Sequence, residues 1–104
     1  TGTPLNDAAE AQAIRGLFGD VPVSSIKGAV GHLMAAAGAI ELAACLLPLT
    51  HDVLPGTANF EEPDPECPVE IIGRTPRIAR VDYVLSNSFG FGGQNVSVVL
   101  GRFE

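Results

Sequence analysis

The stretch Val23–Leu47 (VSSIKGAVGHLMAAAGAIELAACLL) decides how this chain of 104 residues folds. It predicts a short strand that ends near Ser25, then a turn, and then a helix over about residues 31–47. Gly28 and Gly31 give the backbone of the turn a freedom that other residues lack. Because a helix that is apolar on every face is buried on every side, the sequence predicts a deeply buried helix that begins at a glycine-containing turn.

Three titratable side chains stand out in this stretch. Lys27 and His32 flank the turn, and Glu41 is the only charged residue of the apolar helix. Because the start of a helix disfavours a protonated imidazole, we expect His32 to be neutral and able to donate a hydrogen bond to a developing oxyanion. The alternative is a histidine that only satisfies a buried backbone group. Lys27 needs a carboxylate partner in these surroundings, and Glu10 and Glu41 are the two candidates.

The composition describes a folded domain and excludes several classes of protein. Hydrophobic residues make up 46% of the chain and charged residues 17%, which is ample for a core. A formal net charge of −6 argues against a nucleic-acid surface. Cys45 and Cys67 have neither metal-ligand nor disulfide spacing, so the expected location is the reducing cytoplasm. The apolar run Leu33–Leu49 is short for a membrane span and contains Glu41, so no membrane segment is expected.

The N-terminal residues predict an amphipathic helix that begins near Asp7. Asp7 and Glu10 have the spacing of a capping box, and Ala11, Ile14 and Phe18 repeat at helical intervals and form the expected buried stripe. Gly19 ends this helix, since glycine is the usual residue after a helix.

The C-terminal half predicts a long loop followed by strands. A proline-rich loop covers residues 54–68, and strands are expected over residues 69–72, 81–87 and 95–103. The last two strands are joined by a glycine-rich hairpin with Phe89 and Phe91, which point to opposite faces if the segment is extended. Either one phenylalanine packs while the other lines a cavity, or both are hydrophobic plugs.

The predicted elements leave the apolar helix short of cover. The chain supplies two helices and three or four strands, and a domain of this size buries such a helix poorly by itself. Pro48 should end the helix, because a proline interrupts the helical hydrogen bonds. We therefore expect a partner segment, or another part of the same protein, to form the opposite wall.

Three segments, in order, resemble the β-ketoacyl-acyl carrier protein synthases, which are condensing enzymes with the thiolase fold. TGTPLNDAAE (residues 1–10) resembles the stretch that follows the family's first active-site histidine and that begins within the motif HGTGT. KGAVGHLMAAAGAIE (residues 27–41) resembles the second histidine motif, and SNSFGFGGQN (residues 86–95) resembles the C-terminal glycine-rich loop. The first histidine is absent, and neither Cys45 nor Cys67 stands in the motif of the nucleophilic cysteine.

The resemblance implies a fold, a reaction and partners. The fold is α/β, with residues 1–104 forming the C-terminal part of a thiolase-like αβαβα layered fold with a mixed sheet. The reaction is the decarboxylative condensation of malonyl-carrier protein with an acyl-enzyme thioester in fatty acid or polyketide synthesis. The implied partners are an acyl carrier protein with its phosphopantetheine arm, the remainder of the synthase domain, and a second subunit in a homodimer or heterodimer. No organic cofactor is implied, and residues 1–104 alone are expected to be inactive.

The resemblance also assigns roles to residues of this sequence. His32 would hydrogen-bond the malonyl thioester carbonyl, and Lys27 would maintain the charge balance of the site through a carboxylate, for which Glu10 fits. The residues that match substrate-binding positions are Thr1 and Thr3, for the phosphopantetheine arm, Phe91 as the gating phenylalanine, and Phe89, Gly90 and Gly92 in the same loop. Those that match a structural cation site of some members are Glu41, Ser86 and Asn95.

Two alternatives stay open from the sequence. A non-catalytic subunit of the same fold, similar to a chain-length factor, would share these motifs, and Ile26 and Gln94 both stand where many members have threonine. A nucleotide-binding α/β module is the other alternative, although its glycine pattern requires a following helix and a strand is expected here.

Overall fold

The computed structural model describes residues 1–103 and contains the predicted elements with different boundaries, together with two short strands that were not predicted, at residues 53–54 and 77–78. The elements are α1 (Pro4–Phe18), β1 (Pro22–Val23), α2 (Lys27–Val30), a 3-10 turn (Met34–Ala36), α3 (Ala37–His51), β2 (Val53–Leu54), β3 (Glu70–Ile71), β4 (Arg77–Ile78), β5 (Tyr83–Phe89) and β6 (Asn95–Gly101).

The strands form parallel and antiparallel pairs. β1 pairs with β3 in parallel, and β2 pairs with β4 in antiparallel orientation. β5 and β6 form an antiparallel hairpin of seven residue pairs, from Tyr83 opposite Gly101 to Phe89 opposite Asn95. The predicted hairpin is therefore confirmed, and α3 packs against β5 and β2, which places helix and strands in layers.

The helix expected over residues 31–47 is divided in the structure. α2 forms a single short helix, residues 31–33 are not helical, and α3 begins only at Ala37. The physical reason is backbone geometry, since Gly31 has a φ of 78° and Met34 a φ of 50°, and left-handed residues interrupt a right-handed helix. His32 thus lies in the connection between two helices, and its expected place in the first turn of a long helix is wrong.

Pro48 does not end α3, contrary to the prediction. α3 continues to His51, and Asp52 follows it in the left-handed conformation with a φ of 56°. Pro48 and Leu49 are both buried. Packing of these side chains outweighs the cost of about 3 kcal/mol that a proline imposes inside a helix.

The predicted capping box of α1 is also wrong. α1 begins at Pro4, three residues before Asp7, because proline has a backbone angle suited to the first helical turn. Thr3 is the N-terminal cap residue and makes no side-chain capping bond. Ala11 is buried as predicted, but Phe18 is 53% exposed, while Gly19 ends the helix as predicted with a φ of 69°.

Arg102 joins three segments at the base of the hairpin. Its guanidinium donates to the carbonyl oxygens of Pro48 and Val81, with Nη2 at 3.2 Å from each, and forms an ion pair with Asp52. The C-terminal end of α3 is therefore attached to the residues that precede β5 and follow β6.

The described residues leave much of α3 without cover. Besides Pro48, only five apolar side chains are buried among the described residues, Ala11, Ala37, Leu49, Leu54 and Ile72. Ile40, Leu46 and Leu47 on α3 are 38–51% exposed. The expected deep burial of the helix is therefore not reached within this chain, whereas the expected shortage of cover is confirmed. By length and composition alone Met34–His51 would also be able to cross a membrane, a test that core helices of soluble proteins pass as well.

Candidate active site

An ion pair joins the two helices on either side of His32. Lys27, the first residue of α2, pairs with Glu41 of α3 through Nζ and Oε1. The two side chains are 23% and 15% exposed, so the pair is largely shielded from water. Of the two carboxylates that the sequence offered for Lys27, the partner is Glu41, and the assignment to Glu10 is wrong. Glu10 lies half-buried on α1.

The main chain holds the imidazole of His32. The backbone N–H of Met34 donates to Nδ1 of His32 at 3.2 Å. In a neutral imidazole one nitrogen accepts and the other carries the proton, so this contact places the proton on Nε2. His32 therefore offers a single N–H donor, at Nε2, on the edge of the ring that the Met34 N–H does not contact.

His32 shares a cavity with the phenylalanine hairpin. The cavity measures about 330 Å³ and is lined by His32, Met34, Ala35, Phe89, Gly90, Phe91 and Gln94. His32 is exposed, and Phe91 is 96% exposed at the tip of the hairpin. The structure therefore brings the predicted histidine, both phenylalanines and Gly90 to one place.

The tip of the hairpin is a turn built on glycine. Gly90 donates its N–H to the carbonyl oxygen of Gln94 at 2.7 Å, and Gly92 and Gly93 have φ angles of 82° and 81°. Only glycine adopts such angles at no steric cost. β6 follows the turn directly, so the helix required by the nucleotide-binding alternative is not present after this glycine-rich segment.

The remaining predicted substrate-binding residues lie away from the cavity lining. Thr1 and Thr3 precede α1, where their hydroxyl oxygens are 3.0 Å apart and both residues are exposed. Gly92 is part of the hairpin tip but does not line the cavity in the part of the chain that the structure describes. Their roles toward a carrier arm or acyl chain remain predictions.

The three predicted cation ligands lie on α3 and on the two strands of the hairpin. Glu41 is engaged with Lys27, and Ser86 lies on β5, which packs against α3. Burial raises the pKa of the Cys45 thiol, and the nearby Ser86 hydroxyl opposes that shift. Asn95 lies three register positions from the partner of Ser86, roughly 10 Å along the strand. Within residues 1–103 no group of three His, Cys, Asp or Glu side chains is placed to hold a metal ion.

A second, larger cavity lies at the base of the hairpin. It measures about 440 Å³ and is lined by Asp82, Tyr83, Arg102 and Phe103. Arg102 is already bonded to Pro48, Val81 and Asp52, so this cavity offers no free cation for a substrate. We therefore place the candidate site at the smaller cavity, which contains His32.

Sequence reasoning did not assign Met34 and Ala35 to the site, and it noted Gln94 only as a departure from the family pattern. Met34 contributes both a backbone donor to His32 and a wall of the cavity. Its distance of two residues from His32 was the only available signal. Its left-handed backbone was not foreseeable, because methionine rarely adopts that conformation.

The short helix α2 is held in place by the loop after β2. The Asn59 side chain donates to the carbonyl oxygen of Gly28 at 2.9 Å, and Thr57 Oγ1 accepts from the Ser25 N–H at 3.3 Å. A Cβ atom on Gly28 would lie 2.4 Å from the carbonyl oxygen of Ala58. Glycine is therefore required at residue 28 so that the loop can approach the helix that carries Lys27.

Comparison with known sequences identifies the family. Residues 1–61 match the family model described as "Beta-ketoacyl synthase, C-terminal domain". The chain is 49% identical, over 98% of its length, to the tetracenomycin polyketide synthase ketoacyl synthase alpha subunit of Streptomyces glaucescens. It is 41% identical, over its full length, to 3-oxoacyl-[acyl-carrier-protein] synthase 2 of Synechocystis sp.. The chain spans about a quarter of the length of these curated relatives.

Comparison with solved structures gives the same result for the fold. The ishigamide ketosynthase/chain length factor superposes with a TM-score of 0.93 at 38% identity, over 100% of this chain and 26% of the other. A type II polyketide synthase acyl-carrier protein in complex with its ketosynthase gives a TM-score of 0.91 at 31% identity, over 98% of this chain and 26% of the other. The α/β fold is that of the thiolase-like ketosynthases, and the chain belongs to the β-ketoacyl synthase family, whose C-terminal domain it matches.

Proposed function

We propose that this chain is the C-terminal portion of a β-ketoacyl-[acyl-carrier-protein] synthase, an acyltransferase of fatty acid or polyketide synthesis. The observation that carries the proposal is that His32, whose Nδ1 accepts from the Met34 N–H, lines the cavity beside the phenylalanine hairpin. The nucleophilic cysteine and the first histidine come from an upstream part of the protein. Residues 1–104 alone do not catalyse condensation.

His32 acts during the decarboxylation of the malonyl thioester. The bond between the malonyl α-carbon and its carboxylate breaks, CO₂ leaves, and the electron pair forms an enolate with negative charge on the thioester oxygen. The Nε2–H of His32 donates a hydrogen bond to that oxygen, which stabilises the charge as it develops. The α-carbon then attacks the carbonyl of the acyl-cysteine thioester, and the cysteine thiolate departs.

Other residues bind and orient the substrates. Lys27 and Glu41 form a neutral pair that keeps the segments on either side of His32 in register without adding net charge to the cavity. Phe91 gates the acyl pocket from the glycine-rich tip, with Phe89, Gly90 and Gly92 as its surroundings. Thr1 and Thr3 contact the phosphopantetheine arm. Glu41, Ser86 and Asn95 would supply oxygen ligands to a structural cation.

The proposed partners follow from the relatives. An acyl carrier protein delivers the substrates, as in the similar complex of a carrier protein with its ketosynthase. The synthase works as a homodimer or as a heterodimer with a related subunit. Both cysteines of the chain are unpaired thiols, which supports a cytoplasmic location.

The test is malonyl decarboxylation by the full-length synthase after His32→Ala. We expect the rate to fall by about 100-fold or more, since removing one oxyanion donor costs that much in other enzymes. His51→Ala is the matched control, because His51 is the only other histidine of the chain and lies exposed at the end of α3. A rate that His32→Ala leaves unchanged contradicts the proposal.

A non-catalytic subunit similar to a chain-length factor is the second candidate. The similarity to the ishigamide ketosynthase/chain length factor favours it, because that structure is named for a chain length factor as well as for a ketosynthase. Mass spectrometry of the full-length protein after incubation with an acyl thioester separates the two. A covalent acyl-enzyme excludes the non-catalytic role, and the absence of acylation combined with intact folding supports it.

A further inference from the structure

The glycine-rich tip of the hairpin carries one polar side chain to which the proposed function gives no role. Gln94 lines the cavity that also contains His32, and its main-chain carbonyl oxygen accepts the N–H of Gly90 at 2.7 Å. This bond uses the main chain, and within residues 1–103 the carboxamide of the exposed side chain has no hydrogen-bond partner. Gln94 therefore presents an amide that is available to a ligand.

The alternation of side chains along the hairpin places Gln94 on the face that packs against α3. Ser88 lies on this face, since a Cβ atom on Gly38 of α3 would be 3.4 Å from the Ser88 hydroxyl oxygen. The bonded pair of Gly90 and Gln94 follows two positions beyond Ser88, so it projects to the same face. Because the segment that contains His32 leads into α3, Gln94 lies on the side of the hairpin that faces this segment.

Glycine at residue 90 leaves room for the Gln94 side chain. A Cβ atom on Gly90 would lie 3.2 Å from the carbonyl oxygen of Gln94 and 3.6 Å from its Cβ atom. The two residues oppose each other across the hairpin, so a side chain at residue 90 would compete with Gln94 for the same space. The Gln94 side chain thus begins beside an open position, three residues from Phe91.

The donors of the cavity suit a neutral oxygen better than a carboxylate. His32 and Gln94 are the lining residues whose side chains carry N–H donors. Lys27, the cation near His32 in sequence, is paired with Glu41. In the proposed reaction His32 donates to the malonyl thioester oxygen, which leaves the acyl chain beside Phe91 as the group available to Gln94.

We propose that the Gln94 carboxamide determines substrate specificity by donating a hydrogen bond to a carbonyl oxygen of the acyl chain. A β-ketoacyl chain carries such an oxygen on its β-carbon. A saturated chain lacks it and leaves the donor without a partner, so the contact favours β-ketoacyl substrates. The inference rests on the proposed function and deepens it by naming the class of acyl chain.

The test measures kcat/KM of the full-length synthase with acetoacetyl-pantetheine and butyryl-pantetheine as acyl donors. The two acyl chains have the same length and differ in one ketone oxygen. In Gln94→Met, which keeps the length of the side chain without its donor, the ratio of acetoacetyl to butyryl kcat/KM should fall about 3- to 10-fold, the size expected for one hydrogen bond. Gln94→Glu keeps the shape but only accepts, so its ratio should fall at least as far.

The ratio separates specificity from a structural effect. A general loss of stability or a shift of the hairpin slows both substrates and leaves their ratio unchanged. Gln12→Met is the matched control, because Gln12 is exposed on α1 and should leave the ratio at the wild-type value. An unchanged ratio in Gln94→Met, or an equal fall in Gln12→Met, overturns the inference.

Calorimetric titration gives a readout that requires no turnover. The probes are the acetoacetyl and butyryl amides in which NH replaces the thioester sulfur of pantetheine, so no acyl transfer follows binding. Gln94→Met should weaken binding of the acetoacetyl amide about 3- to 10-fold and leave the butyryl amide unchanged. A synthase that binds both amides but forms no acyl-enzyme contradicts the proposed function, and the affinity ratio still decides the role of Gln94. A wild-type protein that binds neither amide overturns the inference.

Discussion

At the scale of single residues, the site depends on how one ion pair and one imidazole are placed. The sequence was sufficient to select Lys27, His32 and Glu41, because each is a costly polar group in apolar surroundings. It was not sufficient to choose between Glu10 and Glu41 as the partner of Lys27, since spacing along the chain does not give distance in space. The tautomer of His32 could not be predicted from the sequence either, because it depends on the backbone N–H of Met34.

The pair between Lys27 and Glu41 should contribute measurably to stability. In a double-mutant cycle with Lys27→Met and Glu41→Gln, urea unfolding of the full-length synthase should give a coupling free energy of about 1–2 kcal/mol. The reason is that each side chain is largely shielded from water, so removal of one partner leaves the other poorly solvated.

The matched control is the exposed pair of Arg15 and Asp20, whose side chains are 46% and 78% exposed. Its coupling should be close to zero, because water screens such pairs. Equal couplings for the two pairs would show that shielding of the Lys27 pair has no energetic effect.

At the scale of elements, the hairpin was predictable and the central helix was not. The strands β5 and β6 carry the strand-forming residues and the glycine-rich turn that together specify a hairpin. The start of the central helix was predicted wrongly, because the apolar pattern continues through residues that are not helical. Gly31 and Met34 have positive φ angles there. At Pro48 the error was the reverse: the helix continues where an end was predicted, because tertiary packing outweighs the low helix propensity of proline.

The close contact between α2 and the loop after β2 predicts opposite effects for two glycines. Gly28→Ala should destabilise the protein by about 1–3 kcal/mol, because the new Cβ would lie 2.4 Å from the carbonyl oxygen of Ala58. Gly16→Ala in α1 meets no atom within 4 Å and should stabilise by roughly 0.5–1 kcal/mol. Thermal unfolding of the two variants measures both, and a Gly28→Ala protein as stable as Gly16→Ala would refute the required close approach.

At the scale of the whole molecule, the fold leaves an apolar side of α3 open. Its fold class was predictable from three ordered motifs, and the shortage of cover for α3 from the length of the apolar run. The exact surface left open was not predictable, because it depends on which side of α3 faces β5. In the structure the open stripe includes Ile40, Leu46 and Leu47.

Residues 1–104 expressed alone should therefore self-associate or fold poorly. Sedimentation velocity should show species larger than a monomer, since an exposed apolar stripe promotes association. Leu46→Lys should reduce this association in the isolated segment, whereas Gln12→Lys, at an exposed position of α1, should not. A monomeric wild-type segment with a cooperative calorimetric transition would contradict the expectation.

The contacts of Arg102 have a consequence for where thermal motion is allowed. Two of its acceptors are main-chain carbonyl oxygens, one at the end of α3 and one just before β5. Seven ladder pairs then extend from this anchored end toward Phe89. Large displacements of the hairpin are therefore confined to the five residues beyond the ladder, 90–94, so that Phe91 can swing while the rest of the hairpin stays still.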